Sequence, residues 1–258
     1  MKLTAISQDT GRGVRIGLSG NDKSQSTFWP SNDADLPPAV VTARKRLMAG
    51  TALFTGSAEQ KSGIFLAEQV GTALRSDVAI LRSDYQNYVS IVGSATVDQR
   101  RVCTQLMSVP PATATTAPIR ARAVSLYDAC QNDAARVEFA MQRASFLQLQ
   151  GLAEVDAWSG LDEPVRKAIE DRFTILSYIQ KYGVESKFPM PAGPDFPIPS
   201  GVDKDAVQAE GKRMVGAMRR VESALEGCSL LARDVIVMVA FALETSVNEA
   251  FALLTANG

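Results

Sequence analysis

The twelve prolines of this chain fall in a few clusters, and the stretches between them are where uninterrupted helices can form. A proline ring clashes with the preceding turn and offers no N–H, so helices begin at prolines or end before them. Pro30, Pro37 and Pro38 close off an N-terminal segment, Pro110, Pro111 and Pro118 bracket a Thr/Ala-rich linker, and five more lie between Phe188 and Pro199. The expected fold is mainly α, a multi-helix bundle with a small N-terminal β-hairpin arm and a proline-rich extended segment. Five regions are expected: a β-rich arm (1–36), a helical subdomain (37–109), a second after the linker (110–187), the proline-rich segment (188–201) and a C-terminal helical hairpin (202–258).

Periodicity fills in these regions. Val14, Ile16 and Leu18 alternate with polar or small residues and are followed by Gly20-Asn21-Asp22, the pattern of a hairpin that continues through Phe28 and Trp29. Leu3–Ser7 offers a third strand. Three short strands bury too little to stand alone, so they must lie on the helical body or on a neighbouring subunit. Pro37-Pro38 and Gly50 frame a first helix. Ser57-Ala58-Glu59-Gln60 and Thr96-Val97-Asp98-Gln99 have capping-box spacing and are expected to open two more. Asp77–Val92 fits a helix better than strands by spacing, while its β-branched content points the other way. Further on, Ile119–Asn132 and Asp133–Gln150 read as helices. Asp162 to Gly183 frames an amphipathic one, and Asp203–Glu226 places Val207, Gly211, Met214, Met218, Val221 and Leu225 on one seam, with Ser229 expected to cap a final apolar helix after Gly227.

What the chain lacks bounds its chemistry. It contains no histidine, which removes the usual neutral-pH proton shuttle, the commonest metal ligand and the normal partner of a nucleophilic Ser or Cys. Cys103, Cys130 and Cys228 are scattered and odd in number, neither a disulfide framework nor a metal motif. Gly56–Ser62 lacks the second glycine of a phosphate-binding loop, and its capping-box reading explains the same residues. Asp162-Glu163 and Glu170-Asp171 could serve as paired carboxylates, but Arg166, Lys167 and Arg172 lie within helical reach, so a salt-bridged face is expected. No catalytic residue, metal or cofactor is therefore expected.

Binding features are more numerous. Arg44-Lys45-Arg46, Arg100-Arg101, Arg120 with Arg122, and Lys212, Arg213, Arg219 and Arg220 form four basic spots suited to a phosphate backbone if they converge, and solvated salt-bridged faces if they do not. Residues 1–125 carry 14 Lys/Arg against 9 Asp/Glu, and residues 126–258 carry 13 against 19, a polarity that would help subunits meet head to tail or face an anionic partner. Phe188, Met190, Phe196 and Ile198 lie among the prolines, so this segment reads as either an ordered loop on its own domain or a clasp across a neighbour. Together with Val14, Ile16, Leu18, Phe28 and Trp29 they are the candidate subunit contacts. The longest apolar run, Val235–Leu243, is about half of the roughly 20 residues a spanning helix needs, and the polar N-terminus has no signal-peptide core, so the expected location is the cytoplasm or a virion.

An N-terminal arm, a helical body, an extended clasp and scattered arginines match the general plan of an assembling coat protein. The expectation is a self-assembling structural protein, a viral or phage capsid or nucleocapsid subunit, with itself and RNA or DNA as partners. Two alternatives are an α-helical adaptor or effector binding a protein, and a histidine-free hydrolase working through paired carboxylates.

Overall fold

The computed structural model describes residues 2–190 and 201–256. Its opening segment is a three-stranded antiparallel meander in sequence order, β1 (Thr4–Asp9), β2 (Gly13–Gly20) and β3 (Lys23–Pro30). Asn21 and Asp22 turn between β2 and β3 with φ of 49° and 62°, the left-handed pair that suits a two-residue hairpin to the twist of its strands. The register sets Val14 opposite Trp29 and Ile16 opposite Thr27. Strand alternation therefore gathers the large apolar side chains on one face, and Ile16, Leu18 and Trp29 are buried in the core that the sheet shares with helices. Leu3 is buried too, and both its N–H and its carbonyl bond to the Ser62 hydroxyl, at 2.9 and 3.2 Å. Of the two places open to this sheet, it occupies the helical body.

The remaining order is α1 (Pro38–Ile64), α2 (Ala67–Met107), α3 (Ala117–Asp128), α4 (Asp133–Glu138), a π turn (Phe139–Arg143), α5 (Phe146–Glu154), α6 (Glu163–Lys181), a 3-10 turn (Val184–Lys187), α7 (Lys204–Leu243) and α8 (Val247–Thr255). The chain divides into two compact units, one of residues 1–99 with 220–258 and the other of residues 100–219.

In the first unit three expected boundaries are absent. Gly50 does not stop α1. A Cβ there would meet the Asp84 carboxylate at 2.9 Å and Leu81 at 3.3 Å, so the glycine permits close approach of α2 and the packing offsets its helix cost of about 1 kcal/mol. Ser57 and Thr96 lie inside helices. Ser57 donates to Asp77 at 2.6 Å, and Thr96 donates back to the Val92 carbonyl at 2.8 Å. The break falls instead at Phe65, extended at φ −94°, ψ 154°. Residues 77–92 are helical throughout. Val70, Leu74, Val78, Leu81, Tyr85, Tyr88 and Val92 make one buried seam at steps of three and four, and that burial outweighs the β-branched residues.

The seam meets Leu225, Cys228, Leu231, Val235 and Met238 of α7. Tyr88 donates to the Cys228 carbonyl at 2.9 Å, and burial, aided by that bond, drives its phenol far above the ordinary value. α7 runs unbroken through Gly227, which corrects the expected hairpin turn. The chain reverses at Glu244–Ser246, where Glu244 adopts φ 51° and Ser246 opens α8 with a reciprocal capping box to Glu249. At the other end of α8, Arg82 donates to the Leu253 carbonyl at 2.7 Å and Gln86 to that of Ala256 at 3.0 Å. These bonds satisfy carbonyls that a helix end leaves bare, and the cation complements the helix dipole.

In the second unit, Tyr127, Leu149, Leu152, Trp158, Ile169 and Phe173 form the main core, with the Phe146 and Phe173 rings stacked at 5.7 Å. Residues 133–150 are not one helix. Ser145 and Gln148 make a second reciprocal capping box that restarts the chain as α5, and Arg172 donates to the carbonyls of Ala140 and Ala144 at 2.6 and 2.8 Å where the π turn ends. Gly183 ends α6 in the left-handed region, φ 57°, as expected of a glycine there. Phe188 packs with Ile179, Val184 and Val207. An antiparallel bridge of Pro189 with Val202 then brings the two ends of the proline-rich segment together. Phe196 and Ile198 lie outside the described residues.

Ser246→Ala should cost about 1 kcal/mol by urea denaturation, as the loss of a true cap does. Thr96→Ala, inside α2, should change stability by less than about 0.5 kcal/mol. Equal losses from both would contradict a continuous α2.

Candidate functional site

The basic residues fall into two groups once their partners are known. Arg44 is 6% exposed, ion-paired with Asp33 and directed at the Asn32 carbonyl. Arg120 is 3% exposed and donates to the Pro110 carbonyl at 2.9 Å, to Gln150 at 2.8 Å and to Glu154. Gly151 lets this happen, since a Cβ there would lie 2.7 Å from the Arg120 backbone. Both arginines were expected to face nucleic acid, and both are held inside the fold. A guanidinium buried this deeply, with terminal nitrogens already on carbonyls and carboxylates of its own fold, presents no accessible edge to a phosphate.

The others are at the surface to different degrees. Lys45 lies 3.4 Å from Asp33. Arg213 grips Glu210 with two bonds of 2.7 and 2.8 Å, which hold the Glu210 carboxyl below its ordinary pKa. Arg219 pairs with Asp171 at 2.6 Å, and Arg220 with Asp35 at 3.2 Å. Arg46, Arg100, Arg101, Arg122 and Lys212 are exposed. Of the two acidic pairs, Glu170-Asp171 is drawn into the same scheme, because Glu170 pairs with Arg166 at 3.6 Å while Asp171 takes Arg219. Arg172, expected among their partners, serves backbone carbonyls instead. Among the described residues no cluster of three or more Cys, Asp or Glu could hold a metal ion, and no helix is long and apolar enough to cross a membrane. Cys103, Cys130 and Cys228 are not joined in disulfides.

Among the candidate subunit contacts, Ile16, Leu18 and Trp29 are corrected by burial within their own unit, and Val14 packs against the same core. Phe28 is left 40% exposed and Met190 52% exposed.

The site that stands out was not among the expected ones. It is the outer face of the α1/α2 hairpin in the first unit. The core seam of α1 runs through Val40, Ala43, Leu47, Thr51, Phe54 and Ala58. Leu53 is out of phase with it and is 74% exposed; Ile80 is likewise out of phase with the α2 seam and is 72% exposed. Both line one groove of about 440 Å³ between the helices, floored by Phe54 and Leu81 and edged by Arg46 and Asp84. At the hairpin's end, Ile64, Phe65 and Leu66 are 71%, 43% and 64% exposed. These large exposed apolar groups are gathered on one hairpin rather than scattered singly over the surface. Its signal in the sequence was the off-phase Leu53 and Ile80 and the apolar Ile64-Phe65-Leu66 at a helix break.

The hairpin under this face is locked by polar groups. Lys61 reaches across from α1 to the Asp77 carboxylate at 2.8 Å and the Ala73 carbonyl at 2.7 Å, and Ser57 donates to the same carboxylate. These are residues of the stretch compared above with a phosphate-binding loop, and here they serve as a helix–helix clamp. Burial pushes the Asp77 carboxyl up, but the Lys61 and Ser57 bonds outweigh it and leave the pKa lowered.

Comparison with known proteins finds no match to this chain among protein-family models, curated protein sequences or solved structures.

Two measurements follow from this placement. Arg120→Met should lose about 3 kcal/mol or more, since Glu154 and Gln150 are left without their partner, while Arg122→Met should lose less than about 0.5 kcal/mol. Because the folded-state pKa of Asp77 is lowered, its stabilisation is present above pH 3.8 and is lost as pH falls through the folded value. The stability gap between the native protein and Asp77→Asn should therefore be widest near neutrality and close in acid, by urea midpoints across pH. A gap independent of pH would contradict the clamp.

Proposed function

We propose that the protein is a self-assembling structural subunit of the coat or nucleocapsid type. The observation that carries this reading is the exposed apolar face of the α1/α2 hairpin, with Leu53, Ile64, Leu66 and Ile80 each more than three-fifths exposed. Leaving such side chains in water forgoes roughly 1.5–3 kcal/mol apiece, a cost that burial against another chain recovers. The charged groups support the same view. Arg44, Arg120, Arg172 and Arg219 are used to hold the fold together, and Glu170 and Asp171 of α6 are engaged by arginines.

In this reading, contact with RNA or DNA falls to the exposed cations, Arg122 and Lys212 first among them, as phosphate contacts that carry no base recognition.

Sedimentation and light scattering from micromolar to hundreds of micromolar should show a mass that rises with concentration. A monomer throughout that range would remove the assembly reading. Arg122→Glu with Lys212→Glu should lower retention on single-stranded nucleic acid in moderate salt. Unchanged retention would remove the nucleic-acid part and leave assembly standing.

A further inference from the structure

The groove of the α1/α2 hairpin carries charge as well as apolar surface, and the arrangement of both selects an occupant. Arg46 on α1 and Asp84 on α2 stand at the same end of the groove, with Leu53 and Ile80 beyond them. Among the described residues neither Arg46 nor Asp84 has an ion pair within 4.0 Å, in a protein where Arg44, Lys45, Lys61, Arg219 and Arg220 all have theirs. An unpaired cation and an unpaired anion flanking one apolar strip, each on a different helix, form a pattern complementary to its own copy.

We propose that this face docks a second copy of the same chain, about a twofold axis running along the hairpin, so that α1 of each copy packs on α2 of the other. The inference rests on the self-assembly reading and specifies its interface. A rotation about an axis parallel to the helices exchanges α1 and α2 while keeping each residue at its own height. Leu53 then meets Ile80 of the second copy, Arg46 meets its Asp84, and both contacts occur twice, as twofold symmetry requires. Every helix in the resulting four-helix layer has an antiparallel neighbour, which is the packing the hairpin already uses. The exposed Ile64 and Leu66 of the two copies come together at the same end. An axis perpendicular to the groove would instead set Arg46 opposite the apolar tip, leaving both charges unpaired against an apolar surface, and such burial is costly.

Charge reversal distinguishes these geometries. Arg46→Asp alone places two acids face to face, and Asp84→Arg alone places two bases face to face, so each variant should weaken self-association by about tenfold or more. Mixed together, the two variants present an acid to a base at both positions and should form a heterodimer of wild-type strength, read by sedimentation and by isotope-labelled mass exchange. Leu53→Ser, at a side chain too exposed to matter for folding, should also weaken association by about tenfold or more. Thermal unfolding of each variant checks that the fold is retained. If the single variants associate as the native protein does, or if their mixture stays monomeric while both are folded, this interface is wrong and assembly occurs elsewhere on the surface. If the native protein itself never associates, the self-assembly reading falls with it.

Discussion

At four places where a helix or strand gives way to irregular chain, backbone carbonyls are left without partners, and arginine side chains from elsewhere in the same unit supply the missing donors. Arg82 serves the end of α8, Arg172 the end of the π turn, Arg120 the chain at Pro110, and Arg44 the chain at Asn32. A guanidinium suits the task because its five donors can bind a carbonyl and a carboxylate at once, as Arg120 does with Pro110, Gln150 and Glu154. The helix ends are thereby tied to the cores beside them, and each arginine is costly to remove because its partners are left bare.

The mainly α class with a small N-terminal sheet was legible, since strand alternation at Val14–Leu18 and helical periodicity after Pro38 are local properties. Helix boundaries were legible where the chain itself enforces them, as at Pro38, before Pro110 and at Gly183. They were not legible where a neighbour decides. Ser57 and Thr96 have the same capping-box spacing as Ser145 and Ser246, yet the first pair sits inside helices and the second pair starts them. The difference lies in what packs alongside: the α2 seam carries the helix through Thr96, while the turn at Glu244 forces a restart at Ser246. Gly227 likewise resembles a stop and is passed over, because the buried row from Leu225 to Met238 continues across it.

The basic spots show a further limit. Sequence places Arg44, Lys45 and Arg46 side by side, but one helix turn spreads them over different faces. Arg44 enters the core, Lys45 pairs with Asp33, and Arg46 reaches the groove. A charge cluster in sequence is thus three separate electrostatic situations in space. The surface with the clearest claim to a partner arises from residues that break the amphipathic phase, and that phase is visible only after the buried seam has been identified.

The bond pair between Leu3 and Ser62 has a practical side. Ser62 lies half a turn from Ile64 and on the opposite side of α1 from Leu53, so the two bonds moor the first strand on the side of the helix turned away from the exposed apolar face. The sheet is thereby kept clear of that face, and losing the Ser62 hydroxyl would loosen an edge strand without uncovering or covering the groove.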